Sequence, residues 1–332
     1  MKARLWLLLA LAVSPSVVQA QQPVAWEAWQ RVPGIVEVAG QRSDGNLVVV
    51  AAGQMYLVSP DGAVSAFAQG ADGFSGSVDG EPYAVISPGV PDACPWPQDN
   101  VFVLDLTNPP GITQVDAGGH ASHLATIAGV DTLNAIAFDT VGRFGHRLLV
   151  AGTSQNRQMV FAVDCQGGVT AIANPAPSFE GGVAVAPETF GQFAGQLIGA
   201  DENGGQVWAI DSSGRATVVA TPNLPTGGDT GVESVGFVPP GFSNGGTAYL
   251  ADRGTPNNPF PGTDTVLRLS SAALVSAGVR DGDLLVATEG GGTTVAIRCE
   301  TTCSVLPVAD GPAGGRVGHI EGRITFILQP PR

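Results

Sequence analysis

Carboxylates in this chain cluster at the ends of short apolar runs. Glu81, Glu180, Glu233 and Glu321 stand at the starts of "EPYAVISPG", "EGGVAVAP", "ESVGFVPP" and "EGRITF", and Asn134 starts a similar run in "LNAIAFD". Other runs end in acids: Asp201 and Glu202 in "GADEN", Asp252 in "YLADRG" and Glu289 in "VATEG". With only 13% of residues charged, such placement implies a job for them. Carboxylate and amide oxygens converging on one point suit a hard divalent cation, Ca²⁺ first. Glu180, Asn134, Glu233, Asp252, Asp201 and Glu321 are the candidate ligands, with Glu81 and Glu289 as further candidates. A carboxylate beside the ion, Asp252 or Glu233, would serve as general base.

Three of the four histidines, His120 and His123 in "GGHASHLA" and His319 before Glu321, widen the choice of ion. Imidazole nitrogens select Zn²⁺ or another transition metal over Ca²⁺. Blander readings stand beside these. Inner polar residues can simply hydrate a water-filled channel, Asp201 can be a turn former in "ADENGGQ", and paired histidines in a Gly-rich loop can be solvated.

These residues can meet only if the elements carrying them radiate from one axis. "QMYLVSPDGAVSAFA" from Gln54, "QMVFAVDCQGGVTAIA" from Gln158 and "QVWAIDSSGRATVVA" from Gln206 each read as a strand, a turn rich in Asp, Ser and Gly, and a second strand. Short apolar strands precede each hairpin, giving units of four strands spaced by roughly 45 to 55 residues. The fold predicted is an all-β propeller of about six four-stranded blades, residues 21–332, with "EPYAVISPG" and "NVFVLDL" in a degenerate second blade. Five or seven blades, a β-sandwich or a β-helix are the alternatives. Blade boundaries blur after Leu269, where "SSAALVSAG" reads as a helical insertion, and "GRITFIL" is the strand expected to close the ring against the N-terminal blade.

Residues 1–20 read as a signal peptide: Lys2 and Arg4, the apolar run Leu5 to Val13, and small residues up to Ala20. Its removal leaves 13 bases against 29 acids, a net charge of about −16. That disfavours nucleic acid and anionic membranes and leaves small neutral or cationic molecules, glycans or proteins as partners. The chain is expected to be a monomer, secreted or periplasmic, with no membrane span after cleavage. Its four cysteines predict two disulfides, Cys299–Cys303 across a hairpin and thus Cys94–Cys165. No nucleophile elbow, P-loop, dinucleotide fingerprint or H-E-x-x-H motif occurs, although "GFSGS" at Gly73 approaches the first.

The blade pattern, with "SFEGGVAV", "LNAIAFD" and "YLADRG", resembles the six-bladed propellers of the regucalcin, gluconolactonase and strictosidine-synthase-like superfamily. Here Ala135 stands where that family has Gly, Gly182 where it has Pro, and Asn134 precedes Glu180. The resemblance implies that Glu180, Asn134 and Asp252 hold one Ca²⁺ or Zn²⁺, which polarises a lactone or ester carbonyl. The function expected is therefore an exported, metal-dependent hydrolase of a lactone or small ester. A binding or scaffold propeller without chemistry, and a redox or lyase enzyme using the histidines, are the alternatives.

Overall fold

A computed structural model describes residues 24–90 and 94–329; the expected signal peptide lies outside them. Six sheets form the blades of a ring. The strands nearest the axis are Ile35–Gln41, Ala84–Ile86, Thr132–Phe138, Val183–Val185, Val232–Phe237 and Ile320–Leu328, in blades 1 to 6 respectively. Blades pack face to face, so their middle strands are buried on both sides and read as unbroken apolar runs: Leu47–Ala51 is buried at every residue. The outer strand Val64–Phe67 is exposed at all but its last residue.

Blades 1 to 4 each use four consecutive antiparallel strands. In blades 2, 3 and 4 the turn between third and fourth strands is one recurring device. Oδ1 of Asp116, Asp164 and Asp211 accepts from the backbone N–H groups two and four residues on. Blade 1 puts Ser59 in that place, with its hydroxyl accepting from the Ala63 N–H. Blade 5 closes the equivalent hairpin with the Cys299–Cys303 disulfide, whose two residues are cross-strand partners. The second disulfide, Cys94–Cys165, joins a loop of blade 2 to a turn of blade 3. Both pairings match the sequence expectation, and both fit an oxidising compartment.

Blades 5 and 6 are interlaced. After the inner strand of blade 5, the chain crosses to blade 6 for Gly246–Asp252 and Thr265–Ser270. It then returns to blade 5 for Leu284–Thr288, Thr294–Cys299 and Cys303–Asp310, and crosses again to lay the inner strand of blade 6. The blurred boundary after Leu269 is this crossing, and the expected helix is there as Ser271–Ser276, capped by Ser270. Ring closure uses both ends of the described chain. Ile320–Leu328 pairs with Gly246–Asp252, while Glu27–Arg31 is the outer strand of the same sheet. Val24–Ala25 adds in parallel to the outer edge of blade 5, and Trp26, 3% exposed, donates its indole N–H to Thr294 there.

Among the described residues no helix is long and apolar enough to cross a membrane.

Candidate functional site

The starts of the inner strands form one mouth of the central channel. Tyr83, 1% exposed, reaches across it from blade 2 and plugs it. Its hydroxyl lies 3.2 Å from Glu81 Oε2, 3.1 Å from Glu233 Oε1 on blade 5 and 2.8 Å from Glu321 Oε2 on blade 6. One phenolic proton can serve only one of these three contacts, so the others need protons on the carboxyl side. Burial and the neighbouring glutamates raise Glu233 well above the usual carboxylate range, which supplies such protons. The Tyr83 phenol is pushed up in turn by burial and by Glu233.

Arg253, the residue after the second strand of blade 6, reaches over the same group. Its guanidinium donates to Glu81 Oε1 and, at 3.2 Å, to Glu321 Oε1. Glu81 is still raised, chiefly by burial.

His319 precedes the inner strand of blade 6 and is 2% exposed. Its Nε2 lies 3.1 Å from Glu289 Oε1 and 3.4 Å from Glu321 Oε1, while its buried Nδ1 has no hydrogen-bond partner. Its backbone is clamped: the His319 N–H donates to Asp252 Oδ1 at 2.8 Å, and its carbonyl accepts from the Arg253 N–H at 2.8 Å. Asp252 Oδ2 accepts from the Thr263 hydroxyl. With both oxygens engaged and 0% exposure, Asp252 fixes His319 instead of facing the mouth. Glu289 is held by antiparallel bridging of Gly290 to His319, and its carboxyl is pushed far up by burial and by a hydrogen bond shared with Glu202. Exposed Asp229 completes the group: Asp229, Glu289 and His319 offer ligand atoms within 4.8 Å of one another.

The Glu180 motif follows from close packing. Gly181 adopts φ +65°, and a Cβ there would overlap the Glu233 carboxylate. At Gly182 a Cβ would lie 2.6 Å from the Val235 nitrogen and 2.9 Å from the Gly322 oxygen. These glycines let three inner strands converge while Glu180 turns outward, half-buried, beside the Asn134 side chain. Burial, then the charges of Glu81, Glu202 and Glu321, push Glu180 up to about 7. Asn134 Oδ1 accepts from Thr153 at 2.8 Å.

The mouth thus gathers Glu81, Asn134, Glu180, Glu233, Glu289, His319 and Glu321, with Asp252 behind them. Three candidates have other partners. His120 and His123 flank or sit on Ala121–Thr126, the outermost strand of blade 2, where His120 contacts Asp116 and His123 contacts Thr126. Strand order puts them at the rim, far from the inner strand that the mouth uses. Asp201 Oδ1 accepts from the Gly204 N–H at 2.9 Å, which makes it the turn former weighed above.

Sequence reasoning passed over Tyr83, Asp229 and Glu37. Tyr83 follows Glu81 by two residues, so a strand alternation would have placed both side chains on one face. Asp229 sits in "TGGDTG", which reads as a plain turn. Glu37, 2% exposed, lies deeper in the channel on blade 1; burial raises it to about 8, against the opposing charge of Arg323.

No family model and no curated protein matches this chain. Solved structures similar to it include virginiamycin B lyase from Staphylococcus aureus, at 10% identity over 85% of this chain and 75% of that one, TM-score 0.48. A putative TolB from Agrobacterium tumefaciens has 13% identity over 90% and 92%, TM-score 0.47. A gluconolactonase from Xanthomonas campestris has 14% identity over 69% of each chain, TM-score 0.42. Likeness at this level carries no functional argument, and the propeller fold rests on the six sheets themselves.

Proposed function

We propose that the acidic mouth holds one divalent cation through Asp229, Glu289 and His319, and that the protein hydrolyses a lactone or other small ester there. The observation that carries this reading is the meeting of those three side chains, drawn from the blade 4–5 connection and from blades 5 and 6, within 4.8 Å. The donor set fits an ion: a buried imidazole beside carboxyls that only protonation or a cation can neutralise. One imidazole among carboxylates favours Zn²⁺ or Mn²⁺ over the Ca²⁺ that oxygen ligands alone would select.

When bound, the ion supplies a Lewis acid for the carbonyl and a positive charge that offsets the carboxylates. The chain's residues do the rest. Glu180, half-buried and poised near 7, accepts the proton of the attacking water; Asp252, with both oxygens engaged, is not free to do so. Asp252 and Arg253 hold His319 in place. Tyr83 and Arg253 fix Glu81, Glu233 and Glu321. The two disulfides support a secreted or periplasmic location.

A second reading, a binding propeller without turnover, draws on burial: Glu233, Asp252, Glu289, His319 and Glu321 are all at most 7% exposed. One experiment separates the two. The mature protein and its Glu289→Gln, His319→Ala variant are assayed for divalent metal by elemental mass spectrometry and for turnover of a lactone and ester panel. Stoichiometric metal and activity lost together in the variant support the hydrolase. Metal without turnover supports the binding propeller, and absence of metal in both proteins overturns the site.

A further inference from the structure

The other end of the channel has opposite chemistry. There the C-terminal ends of all six inner strands, with the loops that follow them, surround a cavity of about 660 Å³, in the size range of small-molecule sites. Its wall is apolar, with Phe138, Phe237 and Phe326 among the largest side chains, and Pro88, Pro187 and Pro239 stiffening the rim. A single charged residue lines it, Arg323.

Among the described residues, no side chain bonds the Arg323 guanidinium, and the only charge acting on it is that of Glu37. Burial lowers Arg323 from its ordinary value and lifts Glu37 to about 8, so at neutral pH Glu37 is mostly protonated and leaves the guanidinium charge uncompensated. A half-buried guanidinium in the wall of an apolar cavity, with no close counter-charge, is costly, and its planar fork matches a carboxylate. The close approach of glycines in blades 4 and 6 and the Tyr83 plug separate this cavity from the acidic mouth.

We propose that this cavity is a binding site for an amphiphilic monoanion, an apolar chain or ring system carrying one carboxylate that pairs with Arg323. The site is independent of the metal reading above. It also runs against the strongly acidic chain as a whole, which disfavours anions everywhere else.

The test is titration calorimetry of the mature protein with decanoate, decanol and butyrate. Decanoate is expected to bind 1:1, with decanol and butyrate each at least about tenfold weaker, because one lacks the charge and the other most of the apolar body. Arg323→Gln should weaken decanoate about tenfold or more and leave decanol unchanged. Leu328, 45% exposed at the rim, gives a variant that does not touch the core: Leu328→Asp should weaken decanoate several-fold by setting a carboxylate against the end of its apolar chain, whether or not Arg323→Gln folds. Equal affinity for decanoate and decanol, undiminished binding in Leu328→Asp, or no decanoate binding at all would overturn the proposal. Loss of metal binding would not bear on it.

Discussion

Blades 1 to 4 and blades 5 and 6 hold together by different means. The first four are closed hairpin stacks in chain order, and a covalent bond, Cys94–Cys165, ties blade 2 to blade 3. The last two exchange strands, so the chain itself stitches them, and their disulfide lies within one hairpin. The difference also shows in chemistry. Glu289 of blade 5 and His319 of blade 6 are brought together by the bridge between Gly290 and His319, on the two sheets that the chain interlaces. Regular blades supply Glu81, Tyr83, Asn134 and Glu180 around the axis, and the interlaced pair supplies the imidazole and the arginine.

The largest effect should come from the clasp of the interlaced pair. Trp26→Ala removes an indole packed on a core shared by blades 5 and 6, and should cost about 3–5 kcal/mol in chemical denaturation. Trp208→Ala, half-buried in blade 4, should cost clearly less. Equal losses would erase the contrast.

Next come the disulfides. Opening Cys94–Cys165, which closes a separation of 71 residues, should cost about 4 kcal/mol, and opening Cys299–Cys303, separation 4, about 2 kcal/mol. Hydrogen exchange after Cys94→Ser, Cys165→Ser should loosen blades 2 and 3 while blades 5 and 6 keep their protection.

A third effect depends on pH. Glu180 has a folded value near 7 against 4.5 when exposed, so the folded state keeps a proton that the unfolded chain gives up. Stability of the metal-free protein should therefore fall as pH rises from about 5, reaching a loss of up to about 3 kcal/mol above pH 7 from this group. Glu37 extends the decline to about pH 8. Calorimetry from pH 5 to 9 should show the slope, flattened by Glu180→Gln and by a bound cation.

The smallest change is expected at Asp201. Asp201→Asn keeps an acceptor for the Gly204 N–H, and should shift stability by less than about 0.5 kcal/mol without changing metal content.

Much of this architecture could be read in the sequence because each regular blade repeats the same local signals: an apolar strand, an Asp- or Ser-anchored turn with Gly, and a second strand. "QMVFAVDCQGGVTAIA" and "QVWAIDSSGRATVVA" are one structure written twice. The interlacing could not be read. Local signals say where a strand is, whereas its neighbours are chosen by packing, and nothing in the residues of Gly246–Asp252 names the sheet it joins. The acidic residues at strand starts were visible as anomalies against apolar runs. His120 and His123 carried the same letters as His319 but lie just before and on the outermost strand of their blade, and composition does not register distance from the axis. Tyr83 went unnoticed because a tyrosine in a strand looks like ordinary packing.

The clasp formed by Val24–Arg31 orders events in time. A chain that emerges N-terminus first presents these residues before any other described segment, yet their partners, Thr265–Ser270 and Cys303–Asp310, come near the end. The first four blades can assemble while the clasp waits, its strand residues mostly exposed or half-buried even in the finished fold. Protease sensitivity near Arg31 in chains stopped before residue 265, and its disappearance in the full chain, would record that wait. The first described strands to appear are thus the last to be committed, and closure of the ring certifies that the strands of blades 5 and 6 have been made.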